Sequence, residues 1–327
     1  MLNKYTIELD NEENILIINL AKKINASPSD EPELFCAQSK ECSRNVPQRI
    51  QNDLLRFSEK GSQSGFLLIK NINLGYEAIP KTPFDNNSKI GEQTILARIQ
   101  SMFISIIGEM ISYEAEGYGR LFQDIVPVQS MSHNQTSIGS SVELEIHTEQ
   151  AFSKLRPDIL SLACIRGDPL AQTYILPISY IIENMNEKER EMLQLPLWKT
   201  GVDLSFKLNG DEFIEGDIRG PLCIINGEKD DPHLIFDQDL MFGIDEESDK
   251  LVKKIVDIYY NYRQHHNLQS GEIILVDNNH AVHGRSPFSP KYDGNDRFLI
   301  RCFAVYDYNK SKYARTNDVR MVSAIYS

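Results

Sequence analysis

The sequence predicts a mainly β protein, with a sandwich or barrel core and helices packed around it. Strand-like runs lie mostly in the second half of the chain, whereas the longest stretch with helical spacing lies in the first half. Strands and helices do not alternate strictly, which argues against a doubly wound parallel sheet. Antiparallel sandwiches and barrels accommodate many short strands of this kind. The strand-like runs are 64–70, 142–147, 158–165, 221–226, 271–277 and 297–307.

The helical part of the prediction depends on apolar residues that recur with the helical period. Between Ile95 and Met110 they follow this spacing closely, so about 90–112 is expected to form a long, largely buried helix. A second amphipathic helix is expected over 251–262, and a shorter one begins within 186–193. The polar stretch 81–88 predicts a loop.

The chain length of 327 residues is compatible with two average domains or with one large β-rich domain. We expect a single domain, in which a helical part of about 1–120 packs on a β core of about 121–327. The polar and acidic segments within about 203–250 read as long insertions, and such segments are often lids.

Composition and charge narrow the class of partner. The chain is 41% hydrophobic and 25% charged, which predicts a packed core. Its net charge of −13 argues against a nucleic-acid partner and against an anionic membrane surface. The first residues are acidic where a signal peptide would be apolar, and no apolar run is long enough to span a membrane, so a cytoplasmic protein is expected. The choice between a monomer and a homo-oligomer stays open.

The cysteines do not indicate a disulfide framework or a cysteine-bound zinc ion. There are five of them, scattered, and none forms a CxxC pair. Cys164 and Cys302 lie inside apolar runs and are expected to be small core residues.

The stretch "SVELEIHTEQAF", residues 141–152, is the first sign of a metal site. Side chains at positions i and i+2 of a strand share one face, so His147 and Glu149 would point the same way. An imidazole and a carboxylate placed like this can both bind one divalent ion. A polar surface strand shows the same pattern, so the motif needs further context.

That context comes from residues 271–303, where a buried-looking strand is followed by His280 and His283 and then by another strand. Arg297 and Arg301 lie four apart on that second strand and share a face. Arginine is rarely buried unpaired, so the pair indicates bound carboxylates or acids of the protein itself. Two histidines and one carboxylate leave open positions on a metal, as in non-haem Fe(II) oxygenases. Such enzymes commonly use 2-oxoglutarate, whose far carboxylate needs a cation such as Arg297.

The two motifs together resemble a known family. "HTEQAF" and "VDNNHAVHGRSPF…YDGNDRFLIR" are similar to segments of the clavaminate synthase-like Fe(II)/2-oxoglutarate oxygenases, which include hydroxylases of free arginine, asparagine and lysine. The resemblance covers about 123–306. It implies a double-stranded β-helix, or jelly-roll, core with surrounding helices, and it implies Fe(II) as cofactor with 2-oxoglutarate and O₂ as co-substrates.

The resemblance also implies roles for individual residues. Arg297 matches the arginine that binds the C5 carboxylate of 2-oxoglutarate, and Thr173 matches a hydroxyl that helps to hold it. His280 is not expected to bind iron, because the ligand position in this family is the histidine before Gly-Arg. The residues that match the iron ligands are His147, Glu149 and His283.

For the substrate, Arg301 matches the residue that binds the α-carboxylate of the amino acid. Asp237 and Asp239, in "FDQDLMFG", would bind a distal cation, and Ser137 is expected to touch the substrate. The stretch 113–119, "YEAEGYG", is expected to add a group for the α-amino nitrogen. The expected substrate is therefore a free basic L-amino acid. Lysine is ranked ahead of arginine because an ammonium needs fewer carboxylates than a guanidinium. This placement would bring a mid-chain methylene over the metal.

Other functions stay open at this point. Within the oxygenases, the chain could hydroxylate arginine, asparagine or a carrier-bound residue. A metal-binding jelly roll without catalytic activity would keep the three ligands but would not need Arg297. A zinc hydrolase would need a nearby general base, and no HExxH pattern occurs in the sequence.

Overall fold

A computed structural model describes residues 5–59, 64–75, 78–203, 217–315 and 320–326 of the protein. Its centre is a large, mainly antiparallel sheet that faces a second, four-stranded sheet. In chain order, strands β1 to β17 are Thr6–Glu8, Phe66–Lys70, Glu109–Tyr113, Gln123–Ile125, Leu144–His147, Ile159–Arg166, Thr173–Pro177, Trp198–Gly201, Ile218–Leu222, Ile225–Glu228, Asp231–Leu234, Met241–Gly243, Gln264–His266, Ile273–Asp277, Ala281–Arg285, Phe298–Val305 and Met321–Val322.

The α-helices lie mainly at the front of the chain. The first helix, Asn11–Ala21, begins after a capping box formed by Asp10 and Glu13, and a second capping box, formed by Asn186 and Glu189, precedes the helix Glu187–Leu193. Helices α1 to α7 are Asn11–Ala21, Pro32–Ser43, Gln48–Ser58, Ile95–Ile107, Ile178–Glu183, Glu187–Leu193 and Glu246–Tyr262.

The large sheet has the strand order β1-β2-β14-β6-β16-β3-β17, and β4 pairs with β16. Its central strands are apolar on both faces because both faces are covered. On β14, Ile273 and Leu275 belong to the core under helices α1 to α4, whereas Ile274 and Val276 belong to the core between the sheets. The helices therefore close one side of the large sheet, and the interior of the jelly roll lies on the other side.

The second sheet has the order β13-β7-β15-β5. Strand β15 pairs with β5 on one side and with β7 on the other, and His283 lies directly opposite His147. Beyond this sheet, a third core contains Trp198, Phe236 and the inner face of α7. The hairpin β10–β11 and the small sheet β12-β8-β9 belong to the same region.

Most predicted elements are present, with differences at their ends. The predicted helix 90–112 is wrong at its C-terminal side, because α4 ends at Ile107 and Met110 lies in strand β3. Gly108 separates the two elements, and a Cβ there would lie 2.8 Å from the Val305 carbonyl oxygen of β16. The predicted strand 221–226 is interrupted at Cys223 between β9 and β10. Cys164 and Cys302 are buried, as expected.

The lid prediction, 203–250, can be compared only in part, since residues 204–216 lie outside the described residues. The remainder is not one loop: it contains β9 to β12 and the start of α7. The division into a single domain with a lid stays a prediction. Among the described residues, no helix combines the length and the apolar character needed to cross a membrane.

Candidate active site

Neighbouring strands of the second sheet bring the three predicted metal ligands together. His147 ends β5, Glu149 follows it by two residues, and His283 lies in the middle of β15. The two imidazole rings have centroids 4.4 Å apart. One ligand atom from each of the three residues lies within 4.8 Å of the other two. Gly284 permits this close approach, because a Cβ there would lie 2.7 Å from the Leu144 carbonyl oxygen.

A backbone hydrogen bond orients His147 for binding a metal, and His283 lies against Glu149. The Nδ1 atom of His147 lies 2.8 Å from the Glu145 carbonyl oxygen, which can only accept, so Nδ1 carries the proton and Nε2 keeps its lone pair. Burial and the neighbouring His147 lower the pKa of His283, which favours its neutral form. Its Nε2 atom lies 3.1 Å from Oε1 of Glu149.

Glu149 is an ionised carboxylate with a fixed backbone. Burial raises its pKa, but the guanidinium of Arg301 and the imidazole of His283 outweigh this effect and bring the pKa to about 2. The side chain of the fully buried Asn278 accepts a hydrogen bond from the Glu149 amide at 2.7 Å and donates one to its carbonyl at 3.1 Å. Two imidazoles and one carboxylate that converge on one point fit a divalent iron ion with open positions.

A buried pocket beside these ligands is lined by arginine side chains, and we call it the arginine pocket. Thr173, Arg285 and Arg297 line it, together with several leucines. Within the described residues, the Arg297 guanidinium makes no hydrogen bond or ion pair, and Nε and Nη2 of Arg285 have no partner. Burial lowers the pKa of Arg297 to about 10 and that of Arg285 to about 9, so both are cationic at pH 7. Two adjacent buried cations of this kind require an anion.

A second pocket, which we call the acidic pocket, opens on the other side of the ligands. Arg301 lies at one end of it, where its guanidinium forms an ion pair with Glu116 and hydrogen bonds with Gln123. Arg301 also lies 3.5 Å from Glu149. The other acids that line this pocket are Glu145, Asp203, Asp237 and Asp239.

The two predicted acids of this pocket differ in their surroundings. Asp237 is 9% exposed, and its backbone forms an isolated antiparallel β-bridge with that of His147. Its Oδ1 atom accepts a hydrogen bond from the Leu240 amide at 2.9 Å. Burial raises its pKa to about 7. Asp239 is more exposed than Asp237, and partial desolvation together with the nearby Asp203 raises its pKa. The loop that carries both acids therefore runs directly alongside the His147 strand.

The arginine pocket and the acidic pocket meet at the metal ligands. His147 and Glu149 line both pockets, and so do Ser137 and Arg301. A molecule in either pocket would therefore lie next to a metal held by the three ligands.

Comparison with known proteins agrees with this geometry. A sequence profile described as "Taurine catabolism dioxygenase TauD, TfdA family" matches residues 215–303. The L-lysine 3-hydroxylase of Catenulispora acidiphila is 45% identical over 293 residues, which cover 90% of this chain and 82% of that protein. The chain belongs to the TauD/TfdA family of dioxygenases. Within this family it groups with the clavaminate synthase-like amino-acid hydroxylases, as the two sequence motifs indicated.

Other members of the TauD/TfdA family are similar over nearly the whole chain. The L-asparagine oxygenase of Streptomyces coelicolor is 28% identical and covers 98% of this chain and 96% of its own length. A solved structure of an asparagine oxygenase in complex with Fe(II), (2S,3S)-3-hydroxyasparagine and succinate is 27% identical. It covers 98% of this chain and 99% of its own, with a TM-score of 0.90. The predicted jelly-roll fold is confirmed.

The structure gathers every residue that the sequence nominated around the two pockets, and it adds others. Arg285 stands two residues after His283, and the sequence offered it only as part of the "HGR" context. Asp203, two residues after β8, was treated as part of a polar insertion. Asn278 carries no sequence signal beyond a polar residue at a strand end. Glu116 lies within the stretch 113–119 that was nominated as a whole.

Proposed function

We propose that this TauD/TfdA family member hydroxylates the side chain of free L-lysine, with Fe(II) as cofactor and 2-oxoglutarate and O₂ as co-substrates. The most direct support is that the arginine pocket and the acidic pocket meet at three side chains that can bind one metal ion. The similarity to an L-lysine 3-hydroxylase favours lysine over the arginine and asparagine alternatives.

In this proposal, His147, Glu149 and His283 hold the iron ion. When bound, the ion and its co-substrates supply the oxidising power that breaks an unactivated C–H bond. The chain itself contributes a fixed ligand geometry, in which Asn278 holds the Glu149 backbone. It also contributes buried walls that exclude water from the reacting atoms.

The arginine pocket would take 2-oxoglutarate. Its C5 carboxylate would receive a bidentate contact from Arg297, and the Thr173 hydroxyl would donate to the same group. Arg285 adds a second buried cation with unpartnered N–H groups among the described residues. A carboxylate bound here would satisfy groups that otherwise leave two like charges together in the interior.

The acidic pocket would take the amino acid. Arg301 would bind the α-carboxylate, and Glu116 would accept the α-ammonium. Asp239, with Asp237 and Asp203 near it, would face the ammonium at the far end of the side chain. Ser137 lines the wall between the two pockets and would contact the substrate near the metal.

This placement favours hydroxylation near the α-carbon. Arg301 lies 3.5 Å from the ligand Glu149, so a carboxylate bound to Arg301 holds the α-carbon close to the metal. The nearest methylene is then carbon 3, rather than the mid-chain methylene expected from the sequence. Carbon 3 is also the position in the name of the 45% identical relative.

A side-by-side turnover assay tests this function. The protein is incubated with Fe(II), 2-oxoglutarate and one free amino acid at a time: lysine, arginine, ornithine or asparagine. Succinate and the hydroxylated product are quantified, and NMR of the product locates the hydroxyl group. We expect one product per succinate with lysine, hydroxylated at carbon 3. His147→Ala, which removes a metal ligand, is the inactive control.

Each alternative has its own result. Full coupling with asparagine and none with lysine or arginine would contradict the assignment of a basic substrate. Full coupling with arginine alone would support the proposed role of the acidic pocket but would make arginine the substrate instead of lysine. Absence of succinate formation with every amino acid would favour a carrier-bound substrate or a non-catalytic module.

A further inference from the structure

A second group of metal-ligand side chains lies outside the active site. Asp231 and His233 are two residues apart on β11 and share a face, and His280 lies in the turn between β14 and β15. One ligand atom from each lies within 4.8 Å of the other two. The Nε2 atom of His280 is 2.9 Å from Oδ1 of Asp231, and Nε2 of His233 is 3.6 Å from Oδ2.

His280 is held in the orientation that metal-bound histidines commonly have. It is 6% exposed, and its Nδ1 atom lies 2.8 Å from Oδ2 of Asp277. A carboxylate beside Nδ1 favours the ring proton on that nitrogen and leaves Nε2 for a ligand. The backbone is fixed as well, because the His280 carbonyl accepts a hydrogen bond from the Ile178 amide at 2.7 Å.

The other two side chains are placed independently of any ion. Strands β10 and β11 form a regular hairpin in which Glu228 lies opposite Asp231. The Leu234 amide donates a hydrogen bond to the Asn279 carbonyl at 2.7 Å, which docks the hairpin on the β14–β15 turn. The cluster is therefore built on backbone contacts and does not depend on its own side chains for its shape.

The donor set suits a divalent transition metal. Two imidazoles and a carboxylate bind zinc and related ions, and tetrahedral ligands about 2.0–2.1 Å from such an ion are roughly 3.3 Å apart. The observed separations of 2.9 and 3.6 Å lie on either side of that value. Asp231 and His233 are only partly buried, which leaves room for a water ligand. A plain ion pair of His280 with its two carboxylates would explain Asp231 and Asp277 but not His233.

We propose that Asp231, His233 and His280 bind a second divalent metal ion, which ties the β10–β11 hairpin to the β14–β15 turn. The hairpin continues into Phe236, whose carbonyl accepts a hydrogen bond from the Thr148 amide at 2.7 Å, and then into Asp237. The ion braces the segment that forms the acidic wall of the substrate pocket. The site shares no residue with the His147, Glu149 and His283 ligands.

Metal stoichiometry of the full chain tests the second site. The protein is stripped with a chelator and dialysed against micromolar Zn²⁺, and bound zinc per chain is measured by elemental analysis. We expect two ions in the wild type, one in Glu149→Ala, one in His233→Ala and none in the double variant. His265→Ala, which removes an exposed histidine of β13, should keep two.

His233→Ala is the decisive variant because it leaves the contacts of His280 with Asp231 and Asp277 intact. Added Zn²⁺ should also raise the melting temperature of Glu149→Ala and leave that of the Glu149→Ala, His233→Ala double variant unchanged. One ion in the wild type and none in Glu149→Ala would overturn the proposal. So would equal zinc content in His233→Ala and the wild type.

Discussion

Arg301 and Glu116 form a buried ion pair at one end of the acidic pocket, although 185 residues separate them in the chain. Burial raises the pKa of Glu116 to about 7, and the nearby Arg301 opposes that rise. The pair offers one charge for each end of a zwitterion. A bound amino acid would replace this single ion pair by two, so no charge would be left buried without a partner.

Glu116→Gln should therefore weaken binding of the α-ammonium while Arg301 still binds the α-carboxylate. Hydrogen bonds to charged groups contribute about 1.5–3 kcal/mol, so kcat/KM for lysine should fall roughly 10- to 150-fold. The KM for 2-oxoglutarate should not change, because the arginine pocket keeps all of its groups. Steady-state kinetics with each substrate varied in turn measure both values. An unchanged KM and kcat for lysine would show that Glu116 serves only to hold Arg301.

Arg297→Ala should raise the 2-oxoglutarate concentration needed for half-maximal activity by roughly the same 10- to 150-fold, because it removes a bidentate charged contact. Arg285→Ala should raise it less, since Arg297 remains. Neither change should alter the Fe(II) requirement. Arg56→Ala, which removes a side chain that is 76% exposed, is the matched control. If Arg297→Ala left the 2-oxoglutarate requirement at the wild-type value, Arg297 would be a structural residue.

The convergence of the three candidate metal ligands could be predicted from the sequence because their chemistry is local. The i, i+2 spacing of His147 and Glu149 puts two ligands on one strand face, and the "HGR" context marks His283. The register that sets His283 opposite His147 depends on the pairing of β5 with β15, which no short motif contains. The sequence therefore indicated which residues would meet but not how.

Residues that act through distant partners could not be predicted in the same way. Asn278 holds the Glu149 backbone across 129 positions of the chain, and it resembles any polar residue at a strand end. The end of α4 was missed for a related reason. Apolar residues continue past Ile107 without a break in the helical spacing, but Met110 and its neighbours pair with β16. Pairing between distant strands outweighed the local period there.

Asn278→Ala should weaken Fe(II) binding without removing a ligand. It deletes both hydrogen bonds to the Glu149 backbone, and loss of a group that orients a metal ligand typically costs 10- to 100-fold in affinity. The Fe(II) concentration for half-maximal activity measures this effect. Asn184→Ala, which removes a partly buried side chain bonded to the Tyr180 carbonyl, is the control for loss of a hydrogen-bonded amide. Equal Fe(II) requirements in Asn278→Ala and the wild type would contradict the positioning role, even if the melting temperature fell.

Glu109 links the front helices to the end of the chain. It lies 2.9 Å from Arg320, which also pairs with Glu33 of α2. Burial raises the pKa of Glu109, but Lys40 and Arg320 outweigh it and lower the pKa. A lowered pKa in the folded protein adds to the free energy of unfolding at pH values above the pKa of glutamate in the unfolded chain, about 4.3. This contribution is lost as the pH falls.

Glu109→Gln should thus lower the free energy of unfolding near pH 7 by at most about 1 kcal/mol, because the site is partly exposed. The difference from the wild type should shrink below about pH 5. Urea unfolding of both proteins at several pH values measures it. A difference that grew as the pH fell would contradict the assigned sign.

Asp239→Asn tests which end of the acidic pocket selects the substrate. It removes one carboxylate near the proposed site of the distal ammonium and leaves Arg301 and Glu116 unchanged. Lysine should still bind by its α-carbon end, but its side chain would be held poorly. We expect kcat/KM for lysine to fall roughly 10- to 150-fold and succinate to form in excess over hydroxylysine. Asp237→Asn should act in the same direction.

L-Norleucine, which has the carbon chain of lysine without the distal ammonium, provides the matched substrate for this test. The wild type should strongly prefer lysine, because norleucine offers no cation to the buried Asp237 and its acidic neighbours. In Asp239→Asn this preference should shrink, through loss of activity on lysine rather than through a gain of activity on norleucine. A preference for lysine that stayed at its wild-type value in both Asp239→Asn and Asp237→Asn would show that other residues read the ammonium. The ratio of kcat/KM for the two substrates decides between these outcomes, because a general loss of folded protein lowers both values equally.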